Sequence, residues 1–175
     1  MRIWFPAPSA ALLALFLTTP AVAQDPTGDW QVEDGSAHIR IVDCGGVLWG
    51  VVSWEKTPGR DIHNPDPVQR GRPTLGMPVL LHMTPSEPGR WEGDVYNAKN
   101  GRSYDASIEL KGADALHVEG CALEVLCGGE DWTRLAQTEP AQPQRGRGAA
   151  TTGALTAPAS APSADICAAI AGRPH

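Results

Sequence analysis

The sequence predicts an all-β domain, an eight-stranded antiparallel up-and-down barrel over residues 24–136, set between an export signal and a Pro/Ala-rich tail. Three observations predict it. Between Thr27 and Arg134 apolar and polar residues alternate, as in Ala37-His38-Ile39-Arg40-Ile41 and Tyr104-Asp105-Ala106-Ser107-Ile108-Glu109-Leu110, which puts one strand face on a core and the other in water. Turn chemistry falls between such runs at Asp34-Gly35, Gly45-Gly46, Asn100-Gly101, Gly112-Ala113-Asp114 and Gly128-Gly129. No helical period interrupts the order, so the strands form a meander whose edges stay open unless the sheet curls shut. A sandwich is the alternative closure.

Residues 1–23 read as a secretory signal peptide: a basic Met1-Arg2 start, an apolar centre at Ala10 to Leu17, and Ala21-Val22-Ala23 before the cleavage point. The apolar run falls short of the roughly 20 residues that span a bilayer, and Pro20 breaks it, so no transmembrane segment is expected. No cysteine follows the run to carry a lipid. The expected product is soluble, exported, and either periplasmic or secreted. With Arg2 removed, 13 basic side chains face 20 acidic ones, a net charge of −7 that argues against nucleic acid as a partner. What remains is enough for one domain, expected as a monomer or weak oligomer.

The strands are expected near 27–33, 36–43, 47–55, 75–83, 90–97, 102–111, 115–121 and 123–134. Val47-Leu48-Trp49-Gly50-Val51-Val52-Ser53-Trp54 is apolar on both faces, as suits a strand with one side on the lumen and the other under a loop or the tail. From Gln137 the composition turns to Pro, Ala, Thr and Ser, with too little apolar surface to offset ordering entropy, so 137–163 is expected disordered. A last piece, Ser163 to Gly172, has an N-cap residue, Ile166 and Ile170 one turn apart and a terminal Gly. It reads as a two-turn helix that is marginal unless something holds it.

Gly28-Asp29-Trp30 opens the first strand and Trp132-Thr133-Arg134 closes the last. In a closed barrel these strands are neighbours, and the arginine can lie across the indole of Trp30, a cation-π contact of roughly 0.5 to 2 kcal/mol. The pair resembles the structural signature of lipocalins and their calycin relatives. A fuller match is carried by Gly28-x-Trp30, Glu33-Asp34-Gly35, Cys44-Gly45, Leu48-x-Gly50, Asp61, Asn64-Pro65, Arg72-Pro73, Leu75-Gly76, Gly101-x-x-Tyr104, Leu116, Gly120-Cys121 and Trp132-Thr133-Arg134. This succession resembles an exported bacterial family catalogued as domain of unknown function 2147. The resemblance implies a lipocalin-like barrel in the cell envelope and brings no activity with it. Such proteins often read Cys-Gly-x-x-Leu-Cys-Gly, whereas this chain has Trp49 at the second cysteine, which leaves Cys44 without its near partner. Of the three pairings open to four cysteines, the favoured one joins Cys121 to Cys127 and Cys44 to Cys167, which staples the terminal helix to the barrel; the rival joins Cys44 to Cys121. The thiols lack paired Cys-x-x-Cys spacing, so neither metal nor cofactor is expected.

The long connection Lys56 to Pro73 carries Asp61, His63, Asn64, Asp66, Arg70 and Arg72. A connection beyond about 12 to 15 residues in a compact domain is often functional. Asp61-x-His63 has the residue types of a base or metal ligand, but Asn64-Pro65-Asp66-Pro67 is turn chemistry, and the arginines suit a carboxylate clamp at the barrel mouth. A structural or lid role is the stronger reading, with Asp61, Asn64 and Arg72 as candidate ligand contacts. Trp49, Trp54, Trp91 and Tyr104 are candidate cavity walls, although core filling is the commoner use of such aromatics. Three functions compete: a non-enzymatic binder of a small, largely apolar molecule, an envelope interaction module with a filled barrel, and a hydrolase using the 56–73 loop. No Gly-x-Ser-x-Gly elbow, His-Glu-x-x-His helix or Gly-rich phosphate loop supports the third, and no residue is assigned to catalysis.

Overall fold

The computed structural model describes residues 25–122, 125–136 and 163–172. The expected signal peptide, residues 1–23, and residues 137–162 of the tail lie outside the described residues. Eight antiparallel strands follow in chain order and close on themselves: β1 Gly28–Gln31, β2 Ala37–Asp43, β3 Leu48–Glu55, β4 Pro78–Glu87, β5 Arg90–Asn97, β6 Arg102–Leu110, β7 Ala115–Ala122 and β8 Leu126–Arg134. Closure runs through a short pairing of β1 with β8, with Trp30 opposite Arg134 and Gln31 opposite Thr133. Among the described residues one α-helix, α1 Ser163–Ala171, packs outside the barrel.

The interior is a continuous apolar cluster: Trp30, Ile39, Ile41, Leu48, Val52, Leu80, Met83, Trp91, Ile108, Leu110, Leu116, Val118 and Trp132. Their alternation along each strand fixes which face looks inward. On β3 the inward residues include Leu48 and Val52, while Trp49 and Val51 face out and join Val42 and Ile170 in a second cluster beneath α1. The doubly apolar β3 is therefore explained by the lumen on one side and the tail helix on the other. A Cys44–Cys167 disulfide ties the helix to the β2–β3 turn, and Cys121–Cys127 crosses the far end of the β7–β8 hairpin.

Two of the register irregularities re-aim side chains. Ile39 pairs with Val52 but His38 pairs with Trp54, so β3 carries an extra residue, Ser53, at a bulge. In β4 the pairing jumps from Leu81–Asp94 to Thr84–Glu92, and His82 takes a left-handed conformation with φ 53°. Gly93 makes this possible, since a Cβ there would stand 2.5 Å from the Leu81 carbonyl oxygen. β4 begins and ends later than the expected 75–83. Thr74 to Met77 forms a hydrogen-bonded turn through Gly76 at φ 76°, and the strand then runs through Pro85 to the Pro88-Gly89 hairpin.

Candidate functional site

The two ends of the barrel are built differently. At one, which holds the 44–47, 88–89 and 111–114 turns, Arg134 acts as a clip. Its Nε donates to the Ala113 carbonyl at 2.6 Å, and its Nη1 and Nη2 donate to the carbonyls of Thr27 and Asp25 at 2.6 and 2.8 Å. The same guanidinium lies 4.2 Å from the Trp30 ring centroid, and the Trp30 indole donates to the Pro26 carbonyl at 2.8 Å. Chain entry, last strand and β6–β7 turn are thereby drawn across this closed pole. Trp30, Leu110, Leu116 and Trp132 form the floor above it, each buried.

The other pole is open. The inward rungs of the β7–β8 pair, climbing from the floor, are Leu116–Trp132, Val118–Glu130, Gly120–Gly128 and Ala122–Leu126. A Cβ on Gly128 would meet nothing within 4 Å, whereas one on Gly120 would press on Val95 at 3.0 Å and stand 3.8 Å from Tyr104. Val95, Tyr104, Gly120 and Glu130, all inward-facing by alternation, are half-buried, whereas the rungs below are closed to solvent. The upper wall is thus bare backbone at Gly128, with Val95 packed over Gly120, where the lower wall is filled. Within this cup the Trp132 indole Nε1 donates to Glu130 Oε1 at 2.5 Å, and Tyr104 OH is met from above by Asn100 Nδ2 at 2.7 Å.

The 56–77 connection rises from the open pole as a closed loop. Its limbs are joined by the Arg60–Pro73 bridge, by Asp61 N–H to the Arg72 carbonyl at 3.1 Å and by Thr74 N–H to the Gly59 carbonyl at 3.2 Å. A short 3-10 turn, Pro67–Gln69, is capped by the Asp66 carboxylate. Beneath it Asp61 is fully buried yet fully bonded. Tyr96 OH donates to its Oδ1 at 2.6 Å, while Asn64 Nδ2 at 2.6 Å, Arg72 Nε at 2.9 Å and Arg72 Nη2 at 2.8 Å converge on its Oδ2. Asn64 Nδ2 also donates to Tyr96 OH at 3.1 Å, so every polar atom of the cluster is used.

Burial by itself raises the Asp61 carboxyl, but the bonds from Tyr96, Asn64 and Arg72 together with the Arg72 charge outweigh it and hold the group below its ordinary range. Burial and the adjacent Asp61 push the Tyr96 phenol up to about 12. The loop is seated on the β5–β6 turn, where Gly101 leaves no room for a side chain: a Cβ would fall 1.8 Å from the His63 carbonyl oxygen.

Among families of known sequence, the model described as "Uncharacterized protein conserved in bacteria (DUF2147)" matches residues 28–134, the whole barrel from β1 to β8. The chain belongs to this family. Among solved structures, the barrel is similar to protein HP1028 from the human pathogen Helicobacter pylori, described as belonging to the lipocalin family. The TM-score is 0.59 and the identity 16%, over 65% of this chain and 84% of that one. At that identity the likeness concerns the fold. No curated protein matches.

The candidate site residues of this DUF2147 domain sort into four places. Asp61, Asn64 and Arg72 come together, but as the clamp that seats the loop on Tyr96; no hydrogen bond joins Asp61 to the exposed His63 among the described residues. Tyr104 lies in the cup, and Trp91 is part of the filled interior. Trp49 and Trp54 are placed outside the lumen, a correction to the expected cavity wall. Trp49 is covered by α1 and meets His82 edge-on, and the Ser53 bulge turns Trp54 outward to stack on His38 at 4.4 Å. The described residues hold one group of metal-ligand type, Glu119, Cys121 and Cys127, and its two sulfurs are bonded to each other. Sequence reasoning missed Tyr96 and Glu130. The second had a signal: Gly128-x-Glu130-x-Trp132 alternates, so an inward Trp132 brings Glu130 inward with it.

Proposed function

We propose that this DUF2147 domain is a non-enzymatic binder of a small, largely apolar molecule, taken into the open pole of the barrel in the cell envelope. The observation that carries the reading is the unfilled wall at Gly128 above a floor of tryptophan and leucine. Eight-stranded barrels have an interior just wide enough to be filled by side chains or to admit one small ligand, and here the lower half takes the first course and the upper half the second. The rim supports the same reading. Among the described residues, the exposed large apolar side chains are Trp54, Ile62, Val68, Leu75, Val125 and Leu126, and each belongs to the open pole. A largely apolar molecule would meet them first. An enzymatic reading loses ground because Asp61, the one fully buried carboxylate described, has its oxygens occupied by structural partners. Two disulfides, and no described helix long and apolar enough to cross a membrane, are compatible with export.

Native mass spectrometry of gently purified protein tests the proposal directly. A co-purifying small molecule is expected in the wild type and absent in Gly128→Phe, whose ring would occupy the cup. A wild-type protein that carries nothing, and whose tryptophan fluorescence ignores lipidic ligands, would sink it. The same apolar rim favours a second reading, an interaction module; a partner whose capture survives Gly128→Phe would select that one.

A further inference from the structure

We infer that the cup selects a ligand with a cationic amine head, held by Glu130; the inference rests on the binder reading and specifies its ligand class. Glu130 is opposite Val118 on the inner face, one rung above the Leu116–Trp132 floor and one below the Gly120–Gly128 rung. A carboxylate at that height has two ordinary fates, an ion pair with a neighbouring basic side chain or full exposure. Neither applies. Glu130 forms no ion pair among the described residues, and it is half-buried within the wall. Its Oε1 is fixed by the Trp132 indole at 2.5 Å, which aims the group and leaves the second oxygen to accept from whatever enters.

The surroundings suit an amine on an apolar body. Gly128 above leaves bare backbone where a side chain would otherwise fill the approach to Glu130. Trp132 beside the carboxylate and Tyr104 across Gly120 supply aromatic surface that favours cations and hydrocarbon alike. The floor beneath is apolar, so an anionic head would face a carboxylate with no donor below it, and a neutral head would leave that carboxylate's charge without a counter-charge. Arg102, inward by alternation, stands exposed at the rim and makes no ion pair with Glu130.

Three probes with one ten-carbon tail test this: decylamine, decanol and decanoate, titrated separately against the full mature protein with tryptophan fluorescence and calorimetry as readouts. Decylamine is expected to bind about tenfold more tightly than decanol, the size of one charge-assisted hydrogen bond, with decanoate weakest. Glu130→Gln keeps an acceptor for the Trp132 indole, and there the preference for decylamine over decanol should vanish. That second arm separates the cup from the general attraction of an acidic protein for cations. Equal binding of all three probes by the wild type, or a decylamine preference that survives Glu130→Gln, would overturn the inference and leave the binder reading standing. No binding of any probe would overturn both.

Discussion

A buried carboxylate is ordinarily a liability, and Asp61 shows how three neighbours turn one into a fastener. The Tyr96 hydroxyl from β5, with the Asn64 amide and the Arg72 guanidinium from the loop itself, supplies the donors that water would have given. Because Asp61 is held below its ordinary range, its contribution to stability is fully present above about pH 4 and is lost as the pH falls through the folded value. Tyr96 works in the opposite sense. Its folded value of about 12 lies above the ordinary phenol range, so its contribution holds below about pH 10 and is lost between 10 and 12. Tyr96→Phe should therefore lower stability at neutral pH by about 1 to 3 kcal/mol, the cost of two unmet bonds, and should flatten the alkaline limb of the pH–stability curve. Urea unfolding from pH 6 to 12 measures both effects, and an unchanged alkaline limb would show that another group sets it. Asp61, Asn64 and Arg72 were legible as a polar loop set. Tyr96 was not, because a tyrosine in an alternating strand gives no sign of its partner until a loop thirty-five residues away in sequence folds back onto it.

The strands were legible because alternation and turn residues speak at the scale of five to ten residues. What escaped was the bulges, which insert one residue and reverse the parity of everything beyond them. That is why Trp54, two positions from the inward Val52, faces out: Ser53 is the uncounted residue. The β4 bulge is enforced by Gly93, and Gly93→Ala should be costly, with a Cβ placed 2.5 Å from backbone at Leu81 and 2.8 Å from the Met83 sulfur. A loss of about 2 to 3 kcal/mol is expected in chemical denaturation, and a loss under 0.5 kcal/mol would mean that β4 can re-register. The helix makes a separate point. Nine residues would be marginal alone, and α1 is held by Ile170 against Val42, Trp49 and Val51 and by the Cys44–Cys167 bond. In the double variant Cys44→Ser/Cys167→Ser, hydrogen exchange should become fast throughout α1 while the barrel core stays protected. Global stability should fall by no more than about 4 to 5 kcal/mol, the loop-entropy ceiling for so long a bridge.

At the scale of the molecule the barrel is a vessel with a clipped base and an unfinished top. The base could be inferred from the first and last strands, since Trp30 and Arg134 become neighbours as soon as a meander of eight closes. The top could not, because an empty wall is written as glycine, and glycine also writes turns: Gly128-Gly129 has turn chemistry yet lies inside β8, within the expected strand 123–134. Arg134→Ala should damage the base rather than the cup. Removing three hydrogen bonds and a ring contact is expected to cost about 2 to 4 kcal/mol and to expose residues 25–27 to proteolysis, with little change in the affinity of any ligand that fills the upper lumen.

The Cys44–Cys167 bond has a mechanical consequence as well. It closes a covalent ring that contains β3 through β8, and only β1 and β2 lie outside it among the strands. Tension applied to the two chain ends would pass through β1 and β2, cross the sulfurs and leave by the helix, bypassing the six remaining strands. A molecule stretched in an oxidising medium should yield only the length of its first hairpin and then stop. The same molecule under reductant should pay out the whole barrel.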